Sequence, residues 1–329
     1  MSIIKDNILY HNAEDIVSTP LGYKLYRYPV SVCAHLNSRA RLMARYNCGC
    51  EMRFVTESEL TNINIYAESG SSYALAVIFR GDYVHDVVKL DCGRMNTITL
   101  NKPKQAEADC FYKNNNFDSN VWRIHFHNCE VTVCSVDTMN YNIRPPKKSE
   151  MPSKTMLAYG SSITHGARSV THTNSYAEEA ARILGTDIIN KGVGGSCRFE
   201  PESADFLAEN KEWDFAWIEG AVNSTDMTPE EFDSRFTYFT ETLAKTGRQI
   251  FMTTIFPTQS KFNKNNPYYD KICSFDEIIR SKKNIGTVIE GDAILTDLRF
   301  LTTDFIHPSN EGHTRMGINM ADILQSFIY

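Results

Sequence analysis

A serine hydroxyl becomes a useful nucleophile only when a base lies within hydrogen-bond reach and a third group orients that base. The chain offers residues of these types. In "LAYGSSITHG", residues 157–166, a short apolar run breaks at Gly160 and delivers Ser162 onto a turn. In "TDFIHPSNEGH", residues 303–313, His307 follows Asp304 by three positions. That is about one turn, close enough for a carboxylate to fix the imidazole tautomer and stabilise the imidazolium formed on proton transfer. Pro308 stiffens this loop, and Ser309 is placed to cap the helix behind it. Two further stretches could supply donors to an oxyanion. "NKGVGGSC" (190–197) holds three glycines, whose amides can approach a ligand closely, and "IEGAVNST" (218–225) offers the neutral side-chain amide of Asn223. Taken singly, each stretch is also ordinary turn or cap chemistry. Together, at successive strand ends, they point to acyl transfer through a serine.

These residues need a scaffold, and the rhythm of the chain changes where the scaffold should begin. Residues 1–145 read as β structure. "NINIYAES" (62–69) alternates, "YALAVIFRG" (73–81) is a compact apolar run, and "VWRIHFHNCEVTVCSV" (121–136) has strong period-2 character. Turn signals at Gly70-Ser71-Ser72, Gly81-Asp82, Cys92-Gly93 and Asn114-Asn115-Asn116 imply several short strands and an antiparallel, jelly-roll-like β-sandwich. Residues 146–154 lie in a proline-rich, charged stretch and read as a linker. From 155 to 329 strands alternate with helices. "TMLAYG" (155–160), "DIIN" (187–190), "DFAWIEG" (214–220), "QIFMTTIF" (249–256) and "GTVIEGD" (286–292) are strand candidates. Helices are expected over 175–185, from an N-cap at Thr228, over 268–281 and at the C-terminus. Such alternation implies a parallel sheet covered on both faces, with ligands gathering beyond the strands' carboxyl ends.

Composition narrows the function classes. At 329 residues the chain is too long for one ordinary core. With 34 basic and 40 acidic residues the formal charge is −6, so nothing in it draws nucleic acid or an anionic membrane. The N-terminus lacks the apolar core and cleavage site of a signal peptide, and no apolar run approaches the ~18 residues of a membrane helix. A cytoplasmic protein is the simplest expectation. The nine cysteines, including Cys48-x-Cys50, show no zinc-site spacing and read as reduced thiols.

The four stretches resemble, in order, the blocks of the SGNH/GDSL hydrolase superfamily: Gly160-Ser161-Ser162-Ile163, Asn190-Lys191-Gly192-Val193-Gly194-Gly195, Ala221-Val222-Asn223 and Asp304-Phe305-Ile306-His307-Pro308. The resemblance covers roughly residues 155–329. It implies a flavodoxin-like three-layer α/β/α domain and a carboxylic-ester hydrolase. Ser162 would be the nucleophile, His307 the base and Asp304 its orienting acid, with the Ser162 and Gly195 amides and the Asn223 side chain as oxyanion hole. No cofactor or metal is implied. Two positions depart from the pattern. Ser161 stands where the family usually has Asp, a supporting residue, and Ala221 stands where it usually has Gly. Some members, among them carbohydrate acetyl esterases and natural-product acyltransferases, carry a β-sandwich ahead of the catalytic domain, a likeness of architecture alone. The expectation is a metal-independent esterase for a small acyl group, acetyl first, on a carbohydrate or other small-molecule ester. Acyl transfer by the same triad and a catalytically weakened carbohydrate-binding protein are the alternatives, and self-association is left open.

Other polar residues carry plainer expectations. His165 and Arg168 follow Ser162 and could touch substrate, Arg168 more simply facing solvent. His125 and His127 share a strand face without a third ligand at metal spacing. His313 and Arg315 are expected to face solvent, and Trp213, Trp217 and Phe256 to be core. Glu219 reads as a buried, hydrogen-bonded acid with no assigned role.

Overall fold

The computed structural model describes residues 2–103 and 116–329, apart from the side chains of residues 69–73. The turn signal at Asn114-Asn115 lies outside the described residues. By contacts the chain divides into two compact units, Met1–Val30 with Ala44–Ser153, and Ser31–Met43 with Lys154–Tyr329.

The first unit is built from β1 (Ile3–Lys5), β2 (Ile8–His11), β3 (Asp15–Thr19), β4 (Gly22–Tyr26), β5 (Glu51–Thr56), β6 (Leu60–Arg80), β7 (Tyr83–Leu90), β8 (Arg94–Asn101), β9 (Trp122–Asp137) and β10 (Ile143–Arg144). Every pair of these strands is antiparallel. Strands β6 and β9 pair along most of their length, with register breaks at Asn64/Ile65, Ala67/Ser69 and Gly70/Leu75. One half of this long pair carries β5 and β7, and the other carries β4 and β8. The breaks bend the strands so that the halves pack face to face. The core accordingly joins Ile8, Met52, Phe54, Ile78 and Ile124 of one half to Leu25, Ile63, Ile65, Ile98 and Val133 of the other.

The sandwich is as expected, but its central strands are long rather than short, 21 residues in β6 and 16 in β9. Gly70-Ser71-Ser72 makes no hairpin turn; the backbone continues as strand, and the small residues sit at a register break. Strand β10, just before the expected linker, pairs with β5. Within the linker Lys148–Glu150 forms a single helical turn, and the Arg144 guanidinium reaches both oxygens of Glu150 at 2.8 Å, which holds that carboxyl down at about 2.

The second unit contains β11 (Thr155–Tyr159), β12 (Asp187–Asn190), β13 (Phe215–Ile218), β14 (Gln249–Thr253) and β15 (Thr287–Ile289). They form a fully parallel sheet in the order β12-β11-β13-β14-β15, the flavodoxin-like order. Near-continuous burial along β11 and β13 fits strands covered on both faces. The chain contributes helices α1 (Val30–Cys33), α2 (Ser38–Arg45), α3 (Ser162–His165), α4 (Tyr176–Leu184), α5 (Pro201–Glu209), α6 (Pro229–Ala244), α7 (Gln259–Phe262), α8 (Tyr269–Ser281), α9 (Gly291–Ile294) and α10 (Asn310–Ile328).

On one sheet face, Met156, Ala158, Trp217 and Phe251 pack with Ala177, Ala180 and Leu184 of α4 and Met316, Met320 and Leu324 of α10. On the other, Tyr159 meets Phe239 of α6 at 4.3 Å between ring centroids, and Phe232 stacks on Phe275 of α8 at 4.2 Å. The helix starts follow their caps. The hydroxyls of Ser175, Thr228 and Ser309 accept the amides of Glu178, Glu231 and Gly312, each cap worth about 1 kcal/mol. Trp213, Trp217 and Phe256 are core, as expected. No helix among the described residues is long and apolar enough to cross a membrane.

Candidate active site

Strand β11 ends at Tyr159, and the next three residues set the site. Gly160 has no substitute. A Cβ there would stand 2.3 Å from Thr164 Oγ1 and 2.6 Å from Glu219 Oε2. Ser161 caps the single turn of α3, its hydroxyl accepting the Ile163 amide. The same hydroxyl donates to Glu219 Oε2 at 2.8 Å, and the Ser161 amide donates to that oxygen at 2.9 Å. Thr164 Oγ1 donates to it as well, at 2.8 Å.

Behind this knot, Trp217 Nε1 donates to the Tyr176 hydroxyl, which lies 2.8 Å from Thr164 Oγ1. With the Thr164 proton committed to Glu219, Tyr176 donates to Thr164. Burial pushes the Glu219 carboxyl up from its ordinary value, against the pull of the donors on Ser161 and Thr164. Glu219, at the end of β13, thus holds the turn that presents Ser162. A strand-end acid in an otherwise apolar run was visible in the sequence; its partner was not.

Ser162 Oγ lies 2.8 Å from His307 Nε2, and His307 Nδ1 lies 2.9 Å from Asp304 Oδ2. A carboxylate can only accept, so Nδ1 carries the proton and Nε2 is free to accept from the serine. The two Asp304 oxygens divide their tasks. Oδ2 holds the ring, while Oδ1 accepts the backbone amides of Ile306 and His307, both at 2.9 Å. Burial works against the Asp304 anion, but these amides and the imidazole outweigh it and hold the carboxyl well below its usual range. The loop is closed on itself by the Thr302 amide to the His307 carbonyl (2.8 Å) and the Ser309 amide to the Phe300 carbonyl (2.7 Å). Arg168, largely exposed, brings Nε to 3.6 Å from Asp304 Oδ2.

The glycine loop after β12 is laced to the serine turn. The Val193 amide donates to the Gly160 carbonyl, Asn190 Nδ2 to the Thr164 carbonyl, and His165 Nδ1 to the Gly192 carbonyl, all at 2.9 Å. His165 therefore ties loop to turn. Gly195 takes a left-handed φ of +70°, and a Cβ built on it meets no atom within 4 Å. Asn223, past the end of β13, accepts the Cys197 amide on Oδ1 at 3.3 Å. That contact fixes the amide's orientation and turns Nδ2 away from Cys197. Gly220 has φ +140° and sits against Cys197 Sγ, so the glycine of this block stands one place earlier than the family pattern.

Ser162, His307 and Asp304 are thus joined directly, and Asn223 is bonded to the loop that carries Gly195. One expectation fails. His313 does not face solvent but is fully buried, accepting the Tyr176 amide on Nδ1 and donating from Nε2 to the Ala167 carbonyl. Nothing local to a histidine in the first turn of a helix signals that α4 packs on that turn. His125 and His127 are buried on β9, His125 Nε2 lying 3.4 Å from Glu51 Oε2.

A family model described as "GDSL-like Lipase/Acylhydrolase family" matches residues 153–325. Solved structures share the fold over almost the whole chain. A salicylyl-acyltransferase of a tetracycline biosynthetic pathway is 11% identical, with TM-score 0.79 and coverage of 99% of this chain and 96% of its own. A family two carbohydrate esterase from Cellvibrio japonicus is 14% identical, with TM-score 0.58 and coverage of 99% and 96%. An acetyl xylan esterase from the rumen bacterium Butyrivibrio proteoclasticus is 12% identical, with TM-score 0.56 and coverage of 99% and 97%. No curated protein matches the sequence.

Proposed function

Since the chain belongs to the GDSL-like lipase/acylhydrolase family, we propose that it is a serine esterase that removes a small acyl group, acetyl first, from a carbohydrate alcohol. The observation that carries this reading is the continuous hydrogen-bonded relay from Ser162 Oγ through His307 to Asp304. Ser162 Oγ attacks the ester carbonyl as its proton passes to His307 Nε2. The Ser162 and Gly195 amides and Asn223 Nδ2 hold the oxyanion of the tetrahedral intermediate. Collapse breaks the bond to the alcohol, which leaves with the proton from His307. Water then attacks the acyl-Ser162 ester by the same route in reverse, with His307 again as base.

The carbohydrate alcohol draws on the fold shared with the two carbohydrate esterases, and the small acyl group on the acetyl xylan esterase among them. The test is an ester panel on wild type and Ser162→Ala side by side, with acetylated xylan and acetylated monosaccharides beside simple aryl acetates. Turnover of acetyl esters that vanishes in Ser162→Ala is expected. Equal rates in the two proteins would remove Ser162 from the reaction. Adding sugar or amine acceptors and measuring product partition distinguishes hydrolysis from acyl transfer.

A further inference from the structure

Part of the surroundings of Ser162 comes from far upstream in the chain. Segment 31–43 belongs by its contacts to the second unit. Asn37 starts α2, its Oδ1 accepting the Ala40 amide at 3.0 Å. Its Nδ2 donates to the Ser196 carbonyl at 3.0 Å and to Glu200 Oε1 at 2.7 Å. These bonds fasten the helix to the loop that carries Gly195. From that anchor Leu36, Ala40 and Met43 recur at helical spacing and are buried, while Arg39, Arg41 and Leu42 are exposed. Small Ala40 permits close approach, and Met43 is the long side chain on the helical part of that face. A side chain begun at Gly194 would start 3.6 Å from Met43 Sδ and 3.7 Å from Ser162 Cβ. The methionine sulfur and the nucleophile therefore flank one point.

In the reaction proposed above, His307 must protonate the departing alcohol, so the alcohol occupies the His307 side of Ser162. The acyl chain is left with the wall made by Gly194 and Met43. We propose that Met43 is a specificity-determining residue that closes the acyl end of the site and restricts the acyl group to a short one. The proposal rests on the serine-esterase reading.

The test is kcat/KM for 4-nitrophenyl acetate, butyrate and hexanoate with the full chain, Met43→Ala, Met43→Phe and Ser162→Ala. Met43→Ala should raise the hexanoate-to-acetate ratio by ~10-fold or more, since one methylene accommodated in an apolar pocket is worth about that much. Met43→Phe should lower the butyrate-to-acetate ratio. A ratio of rates does not depend on how much of a variant is folded, so poor folding cannot imitate either shift. Ratios within about twofold of wild type in both variants overturn the proposal and leave the esterase reading standing. Wild type without Ser162-dependent turnover overturns that reading, and the proposal with it. In a second series with acetyl held constant and the alcohol varied from methyl to benzyl, Met43→Ala should keep the wild-type preference. A change confined to that series overturns the proposal by putting Met43 on the leaving-group side.

Discussion

Glu219 Oε2 lies 2.9 Å from the backbone nitrogen of Ser161 and 2.8 Å from its hydroxyl, deep in the second unit. At position 161 a hydroxyl and a backbone amide both donate to a carboxylate from the neighbouring strand, so the turn depends on a neutral residue there.

Placing an acid at 161 should therefore do harm. Ser161→Asp would set a second carboxylate against Glu219, and two buried like charges cannot both ionise at little cost. We expect a loss of about 2 kcal/mol or more in unfolding free energy at pH 7, growing as the pH rises and the shared proton is lost. Ser161→Asp combined with Glu219→Gln should recover much of it. Chemical denaturation of the wild type and the two variants at pH 5 and 8 measures this, and a Ser161→Asp protein as stable as wild type would refute the dependence on a neutral residue at 161.

Asn223 is held by the Cys197 amide on its oxygen, which commits its nitrogen to the opposite side. Asn223→Ala should lower kcat by ~10²–10³-fold with little change in KM, as for other side-chain donors to an oxyanion. Steady-state kinetics on an aryl acetate decides it. A rise in KM with kcat unchanged would make Asn223 a ground-state binding residue.

Replacing Asp304 separates orientation from charge. Asp304→Asn can place an amide donor against Nδ1, which turns that nitrogen into an acceptor and leaves the proton on Nε2, where it blocks the base. The loss should approach the ~10⁴-fold seen for this change in other triads. Asp304→Ala leaves the ring free to take the productive tautomer part of the time and should lose less. Comparing kcat for the two variants, with circular dichroism to check folding, tests the order.

His313 makes stability depend on acid. Its Nδ1 accepts the Tyr176 amide, so the ring must be neutral in the folded protein. Burial pushes it down from 6.5 to about 4. A depressed folded value means that the unfolded chain binds the proton more tightly in between. The contribution is present in full above pH 6.5 and is lost as the pH falls through about 4. The loss at the acid end is on the order of 3 kcal/mol. His313→Gln should be less stable than wild type at pH 7.5, but its melting temperature should fall less between pH 6.5 and 4. Parallel melting curves for the two proteins would remove His313 as the cause.

The site was more legible than its supports. Ser162, Asp304 and His307 were readable because each lies in a short stretch whose neighbours, Gly160 before the serine and Ser309 after the histidine, are local signals. The parallel sheet was readable from strand–helix alternation, and the caps at Ser175, Thr228 and Ser309 mark helix starts in the sequence itself. What stayed hidden depends on contacts between distant residues. The Glu219–Ser161 bond spans two strands, His313 is buried by a helix from elsewhere in the chain, and Asn37 meets Ser196 across 159 positions. The continuation of β6 through Gly70-Ser71-Ser72 is hidden for a related reason. A Gly-Ser-Ser run signals a break in regular pairing, but whether the chain then reverses or continues is decided by the partner strand.

The membership of residues 31–43 in the second unit bears on inheritance and engineering. A gene fragment starting at Lys154 would encode the parallel sheet and the relay but leave behind Asn37, Ala40 and Met43. The Ser196 carbonyl and the buried Glu200 carboxylate would lose their amide partner. The second half is thus not a cassette that can be cut out or grafted at the obvious junction. A chimera that exchanges the first 150 residues also exchanges a helix beside Ser162, so recombination between relatives at that junction would alter the surroundings of the candidate site along with the first half.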